Sequence, residues 1–311
     1  MASRLRFWAI MCFLLAGCAK EVIIDLPEEP PKLVVVCHFT EGDNFRAKIT
    51  LSKPVNDKGQ VDIVRKDVEA TLSVNGQFWD KMVPDTNAVD QISFWESNKN
   101  QRAEKGERYS ISVRVPGYPP IKSSSEIPSH VKPKSISLNP ADIFIFPTAG
   151  GLSELRIPLS LELPYLPLEG RFFAFNLTHE TDVYETLDPP IIDFTEQGQT
   201  NFLADGRTFS LLHDIPEPVV LVNDKFWSDG RKTLELVARI PFDPESERPK
   251  RIFVEWRSLS KEFYRYHLSL SRQSNNLPLS DPDAVFNNIL GGYGNFSGYA
   301  VSVDTIEIPG F

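Results

Sequence analysis

Val68-Glu-Ala-Thr-Leu-Ser-Val-Asn-Gly76 is the stretch from which the fold is read. Val68, Ala70, Leu72 and Val74 alternate with polar neighbours, so an extended chain here has one apolar face and one wet face, as a half-buried strand does. Asn75-Gly76 follows directly. That pair tolerates positive φ at both centres of a two-residue turn, and it predicts a hairpin. The same period of two recurs outward on either side. Upstream it runs through Phe45, Ala47, Ile49 and Leu51; downstream, after a Lys105-Gly106 turn, through Tyr109, Ile111, Val113 and Val115. Leu33–Phe39 and Ile92–Trp95 read as further short apolar strands. About six strands and no helical period between residues 32 and 127 predict an antiparallel sandwich, immunoglobulin- or transthyretin-like.

Ser123-Ser-Ser125, Pro128 and Pro133 form a polar, proline-marked break, read as a linker between an N-terminal β domain, residues 32–129, and a C-terminal β domain, residues 130–311. The second domain predicts strands at Leu155–Leu163, Arg171–Thr178, Thr233–Ile240, Arg251–Trp256 and Tyr299–Val303. Turns are expected at Asp205-Gly206 and Asp229-Gly230, and a long acidic loop from Thr178 to Asn201. One helix stands out near residues 260–275: Ser260 is the N-cap, and Phe263, Tyr266, His267 and Leu270 recur at helical steps. The fold class is therefore mainly all-β: two β-sandwich-like domains, the second carrying one amphipathic helix.

The start of the chain carries an address. Arg4 and Arg6 precede a short apolar run, Phe7–Ala16, which ends in Leu15-Ala-Gly-Cys18. The run is too short to span a bilayer, and the layout is that of a signal peptide over residues 1–17. The small residues before Cys18 match a lipobox, where the thiol is diacylated and the leader removed; an ordinary secretory leader is the alternative. Residues 18–31 are acidic and end in Glu28-Glu-Pro-Pro31, which reads as an extended tether between lipid and first domain.

Composition narrows the function. Of the three cysteines, Cys12 leaves with the leader and Cys18 takes lipid, so Cys37 is alone and reads as a small core residue. The 41% hydrophobic content of a 311-residue chain is enough for a core without disulfides. A net charge of −9 with no Lys/Arg block excludes nucleic-acid binding.

Catalytic signatures are sparse. The five histidines, His38, His130, His179, His213 and His267, show no metal-ligand spacing, and the His179-Glu180 and His213-Asp214 pairs read as solvated polar residues on loops or strand ends. Gly291-Gly-Tyr-Gly294 follows a helix and leads into a strand, the reverse of a dinucleotide loop, so its glycines are read as permitting close backbone approach. Asp281, Asp283, Asn287 and Asn288 offer oxygen ligands for calcium without the spacing of an EF-hand, and a surface turn is the alternative. No cofactor is implied. A carboxylate pair that meets only in space would make the protein a surface-polymer hydrolase; otherwise it is a non-enzymatic binding protein. Trp95, Trp227 and Tyr293 lie near turns and are candidate anchors for a carbohydrate or peptide ligand or a protein partner; core packing is the competing reading for each.

The chain resembles the Bacteroidetes outer-membrane lipoprotein family catalogued as domain of unknown function 4249. The resemblance lies in Cys18-Ala-Lys-Glu-Val-Ile-Ile-Asp-Leu-Pro-Glu-Glu-Pro-Pro-Lys-Leu-Val-Val36, Glu69–Gly76 and Gly106-Glu-Arg-Tyr-Ser-Ile-Ser-Val113. It is most specific in Ser258-Leu-Ser-Lys-Glu-Phe-Tyr-Arg-Tyr266 and Asn288-Ile-Leu-Gly-Gly-Tyr-Gly-Asn-Phe296. Such lipoproteins are often encoded beside TonB-dependent transporters, which implies an accessory role in nutrient uptake, and the family has no established catalytic residues to transfer. Lys20-Glu21 and the acids after them resemble the signal that sends such lipoproteins to the cell surface. A lipoprotein acting alone on the periplasmic face is the alternative.

Overall fold

The computed structural model describes residues 29–53, 67–85, 94–99, 101–163, 171–182, 191–194, 203–209, 216–223, 233–274 and 284–310. Cys18, Trp227, His213, Asp281, Asp283 and the Asp229-Gly230 turn lie outside them.

The hairpin read from sequence is present. β3 (Glu69–Val74) and β4 (Gln77–Pro84) pair across Asn75 and Gly76, which take φ of 50° and 80°. Around it run β1 (Leu33–Phe39), β2 (Arg46–Leu51), β5 (Phe94–Ser97), β6 (Arg108–Arg114) and β7 (Ile121–Glu126). The alternating apolar residues turn to one side: Ala47, Ile49, Leu72, Ile111 and Val113 are all buried. Ser123–Ser125, expected in a linker, lie in β7, with Ser123 and Ser125 buried. Their hydroxyls serve as polar partners for the backbone of another segment, which is why serine stands where an apolar residue is the usual choice. Ser123 Oγ donates to the Asn288 carbonyl at 2.8 Å, and Ser125 Oγ accepts from Gly298 N at 3.3 Å.

Beyond Glu126 the chain crosses from the first core to the second between Ile127 and Val131. It continues through β8 (Ser135–Leu138), β9 (Phe144–Pro147), β10 (Ser153–Glu162), β11 (Phe172–Thr181), β12 (Ile191–Phe194), β13 (Leu203–Phe209), β14 (Pro216–Asn223), β15 (Thr233–Phe242) and β16 (Pro249–Leu259). The helix α1 (Lys261–Ser274) and the long strand β17 (Tyr293–Glu307) complete it. β12 stands inside the expected Thr178–Asn201 loop, and Asp205-Gly206 lies within β13. There the pairing with β14 shifts between Asp205 and Thr208, so the dipeptide marks an irregularity in a strand where a turn was expected.

Two sheets result: a five-stranded one made of β12, β15, β10, β8 and β9, and a twelve-stranded one ordered β13-β14-β11-β16-β17-β1-β2-β5-β4-β3-β6-β7. The five-stranded sheet packs against the β11–β16 end of the long one, and Leu155, Ile157, Leu236, Phe175, Val254 and Trp256 share that core. At its other end the long sheet curls onto itself, so one continuous sheet supplies both layers. Phe39 and Tyr109, from strands far apart in sheet order, meet with ring centroids 5.4 Å apart, and Lys122 in β7 bridges back to Leu290 just before β17. Pro158, in mid-strand, takes part in this arrangement. β8 and β9 lie end to end along one edge of β10 and leave position 158 between them, where no ladder bond to an N–H is required.

β17 joins the two cores. Its first half, Tyr293–Gly298, runs parallel to β1; its second half, Tyr299–Glu307, runs antiparallel to β16. The core of residues 32–129 is therefore completed by the chain's last segment, through Ile289, Phe296 and Ala300. The helix lies across the same junction. Ser260 caps it, accepting from Phe263 N at 3.3 Å, and Phe263 and Tyr264 pack on Ala174, Leu221 and Leu259.

Candidate functional site

The stretch from Asn287 to Phe296 is a connection built of polar side chains folded onto their own backbone. Asn287 Oδ1 accepts from Ile289 N at 2.9 Å, and its Nδ2 donates to Gly292 O at 2.9 Å. Asn288 brackets Phe296, accepting from its N–H at 3.0 Å and donating to its carbonyl at 2.8 Å, as a neighbouring strand does. Both amides, considered above as calcium ligands, thus have backbone partners. The glycines have the role read from sequence. Gly294, at φ 117°, lies so close to β1 that a Cβ there would collide with the Val35 carbonyl. Only glycine combines that dihedral with that approach.

Two features flank this connection. On one side Tyr293, 38% exposed, contacts the residues just before β1. Lys32 Nζ donates to Tyr293 Oη at 2.9 Å and lies 4.9 Å from the ring centroid, while Glu29 Oε2 takes the same ammonium at 3.0 Å. The hydrogen bond and charge of Lys32 hold the Glu29 carboxyl below its usual pKa.

On the other side is a groove of about 550 Å³ over the outer face of β3, β6 and β7. Ser73, Ser110, Ser112 and Ser124 supply hydroxyls, Arg114 and Lys122 supply charge, and Leu290 forms one wall. Strand register explains the lining. Ser110 stands between Ser73 and Ser124, and Ser112 stands beside Lys122, so the solvent-facing positions of three strands form a shallow hydroxyl floor. Phe78, 61% exposed, faces the same row opposite Ser73. Leu290, 76% exposed, and Phe78 were not singled out in the sequence; large apolar residues beside Asn-Gly and Gly-Gly turns were the available signal.

Trp95 is corrected: it is 4% exposed and packs in the first core, because β5 is an interior strand between β2 and β4. It is not accessible as an anchor. His179, near the end of β11, is likewise buried, where a solvated side chain was expected.

The sequence spacing hid one pair. His38 on β1 and His267 on α1 meet with ring centroids 5.0 Å apart, and Phe263 stacks on His267 at 4.3 Å. His38 Nε2 donates to Asn295 Oδ1 at 3.1 Å, and Ser297 Oγ donates to the same oxygen. Burial drives the His38 pKa down to about 4, against the Asn295 hydrogen bond, and the Arg257 charge adds to the fall. For His267, burial and then the His38 and Arg257 charges push the same way, and neither ring nitrogen has a partner among the described residues. The two imidazoles are neutral at physiological pH and act as packing groups. Among the described residues no cluster of three or more His, Cys, Asp or Glu side chains is placed to hold a metal.

No curated protein matches the chain. The family model described as Domain of unknown function (DUF4249) matches residues 19–305, nearly the whole length, and the chain belongs to that family.

Proposed function

We propose that this protein is a lipid-anchored outer-membrane binding protein without catalytic activity. Cys18 carries the lipid, and the folded body serves as accessory to a TonB-dependent transporter at the cell surface. The observation that carries the reading is the placement of the tether exit beside a ligand-sized groove. Tyr293 holds Lys32 and Glu29 on one side of the 287–296 connection, and the hydroxyl-lined groove opens on the other. A chain leaving the body there toward Cys18 brings the groove near the membrane from which a transporter takes its cargo. Hydroxyls, two cations and an exposed aromatic ring suit a carbohydrate or a short peptide, which such groups bind through hydrogen bonds and ring stacking. The Leu15-Ala-Gly-Cys18 match supports the anchor.

The test uses intact cells. A fatty-acid probe should label the wild type and not Cys18→Ala, and external protease should degrade the wild type. Equal labelling of both would remove the anchor; full protection from external protease would move the protein to the periplasmic face.

A further inference from the structure

Strand β9 is an exposed edge. All four of its residues are exposed: Phe144 by 54%, Ile145 by 53% and Phe146 by 40%, with Leu152 at 46% across the hairpin. Its inner side pairs with β10, Phe146 opposite Glu154 and Phe144 opposite Arg156. Thr148 N donates to Leu152 O at 2.8 Å, which sets the phase of the ladder. Counting back by the antiparallel alternation, Phe146 and Phe144 exchange hydrogen bonds with β10, and Ile145 turns its N–H and C=O outward. Among the described residues no strand pairs with that outer side.

Natural edges are usually blunted by charge, by proline or by twist away from the plane. The neighbouring β8 follows this rule, with exposed Ser135 and Ser137 and with Lys134 just before it. β9 has only Pro147, at its end, and no charge. Its one cationic neighbour is compensated: Arg156 lies over the Phe146 ring at 4.3 Å and binds Glu154 at 2.7 Å, which also binds Arg239 at 2.7 Å.

We propose that β9 is a self-pairing edge whose occupant is β9 of a second copy of this chain. Phe144-Ile-Phe146 reads the same in both directions. Antiparallel pairing about a two-fold axis at Ile145 places Phe144 opposite the partner's Phe146, and Phe146 opposite the partner's Phe144. At the axis the Ile145 N–H and C=O exchange two hydrogen bonds with the partner's Ile145. The five-stranded sheet becomes continuous across the pair, and both unpaired backbone groups and both exposed rings are covered. The apolar surface involved is roughly 300–400 Å² per copy, on aromatic areas of about 150–250 Å² each. That is short of the ~1,600 Å² of a standard interface, so the pair dissociates on dilution. Confinement of both copies to one membrane surface would favour it by raising their effective concentration.

The full chain in mild detergent should show, by sedimentation velocity, a dimer fraction that rises with concentration. Ile145→Pro removes the outward N–H, which β10 does not use, together with the isoleucine side chain, and should weaken self-association at least tenfold with the melting temperature nearly unchanged. Phe144→Ser should weaken it as well, by removing the ring pair. Oxidative cross-linking is the second readout. Ile145→Cys should give a covalent dimer in cells, and Val303→Cys, at an exposed position on β17, should not. A monomer at every concentration, equal dimer from the two cysteine variants, or an Ile145→Cys adduct with a different protein would each overturn the proposal. Sedimentation of the full chain reads self-association apart from any membrane or transporter, so failure of the uptake reading would leave this one standing.

Discussion

At the scale of single residues, the most informative is His267. It is 5% exposed, stacked on Phe263 and, among the described residues, without a hydrogen bond at either ring nitrogen. A buried nitrogen without a partner costs about 1–3 kcal/mol, and the ring is kept for its shape. His267→Phe retains the flat ring and removes both nitrogens, so it should stabilise the fold by about 1 kcal/mol, read as a rise in melting temperature. The pH dependence follows from the direction of the shifts. The pKa values of His38 and His267 are both lowered in the folded state, so below an unfolded value of about 6.5 the unfolded chain binds more protons than the folded one. Stability should therefore fall from about pH 6.5 downward, for His38 as far as its folded value of about 4. His267→Phe should flatten that slope. A variant as acid-sensitive as the wild type, with a lower melting temperature, would show that His267 has a polar role. His38 and His267 lie at opposite ends of the chain. Neither belongs to a short motif, so no spacing rule could pair them.

At the scale of elements, legibility followed periodicity. The hairpin at Asn75-Gly76, the helix capped by Ser260 and the alternating strands β10, β15 and β16 were all readable, because their apolar residues recur at fixed steps. What was missed lacks such a step. The first half of β17 is Tyr-Gly-Asn-Phe-Ser-Gly298, whose small and polar residues resemble a loop; it is a strand because β1 supplies parallel hydrogen bonds along it. Ser123–Ser125 failed similarly, as alternation among identical residues is invisible. Trp95 was misplaced because β5 is short and adjoins residues with turn composition. The decisive residue of β17 is Gly294. Its φ of 117° and its contact with the Val35 carbonyl admit no side chain, so Gly294→Ala should cost more than about 2 kcal/mol and separate β17 from β1. Gly42→Ala, also at positive φ but with open space around it, isolates the dihedral effect and should cost less. Urea titration of both variants compares them directly; equal losses would mean that the close approach carries no weight.

At the scale of the whole molecule, the chain is tied together from its two ends. β1, the first described strand, pairs with β17, the last, and β17 continues into the second core alongside β16. A helix covers the junction. Glu29 and Lys32, just before β1, therefore lie at this seam against Tyr293, next to the groove whose wall is Leu290. Cys18 lies outside the described residues; sequence reading singled out Tyr293, which is exposed. The groove escaped it because its floor is assembled across three strands from serines that carry no motif. The partner is the central claim, and one measurement addresses it most directly: mild-detergent purification of the C-terminally tagged protein from cells of its source, beside Cys18→Ala as control. The account predicts that a large β-barrel transporter co-purifies with the wild type and is lost or strongly reduced with Cys18→Ala. Recovery of lipidated wild-type protein with no barrel would contradict it.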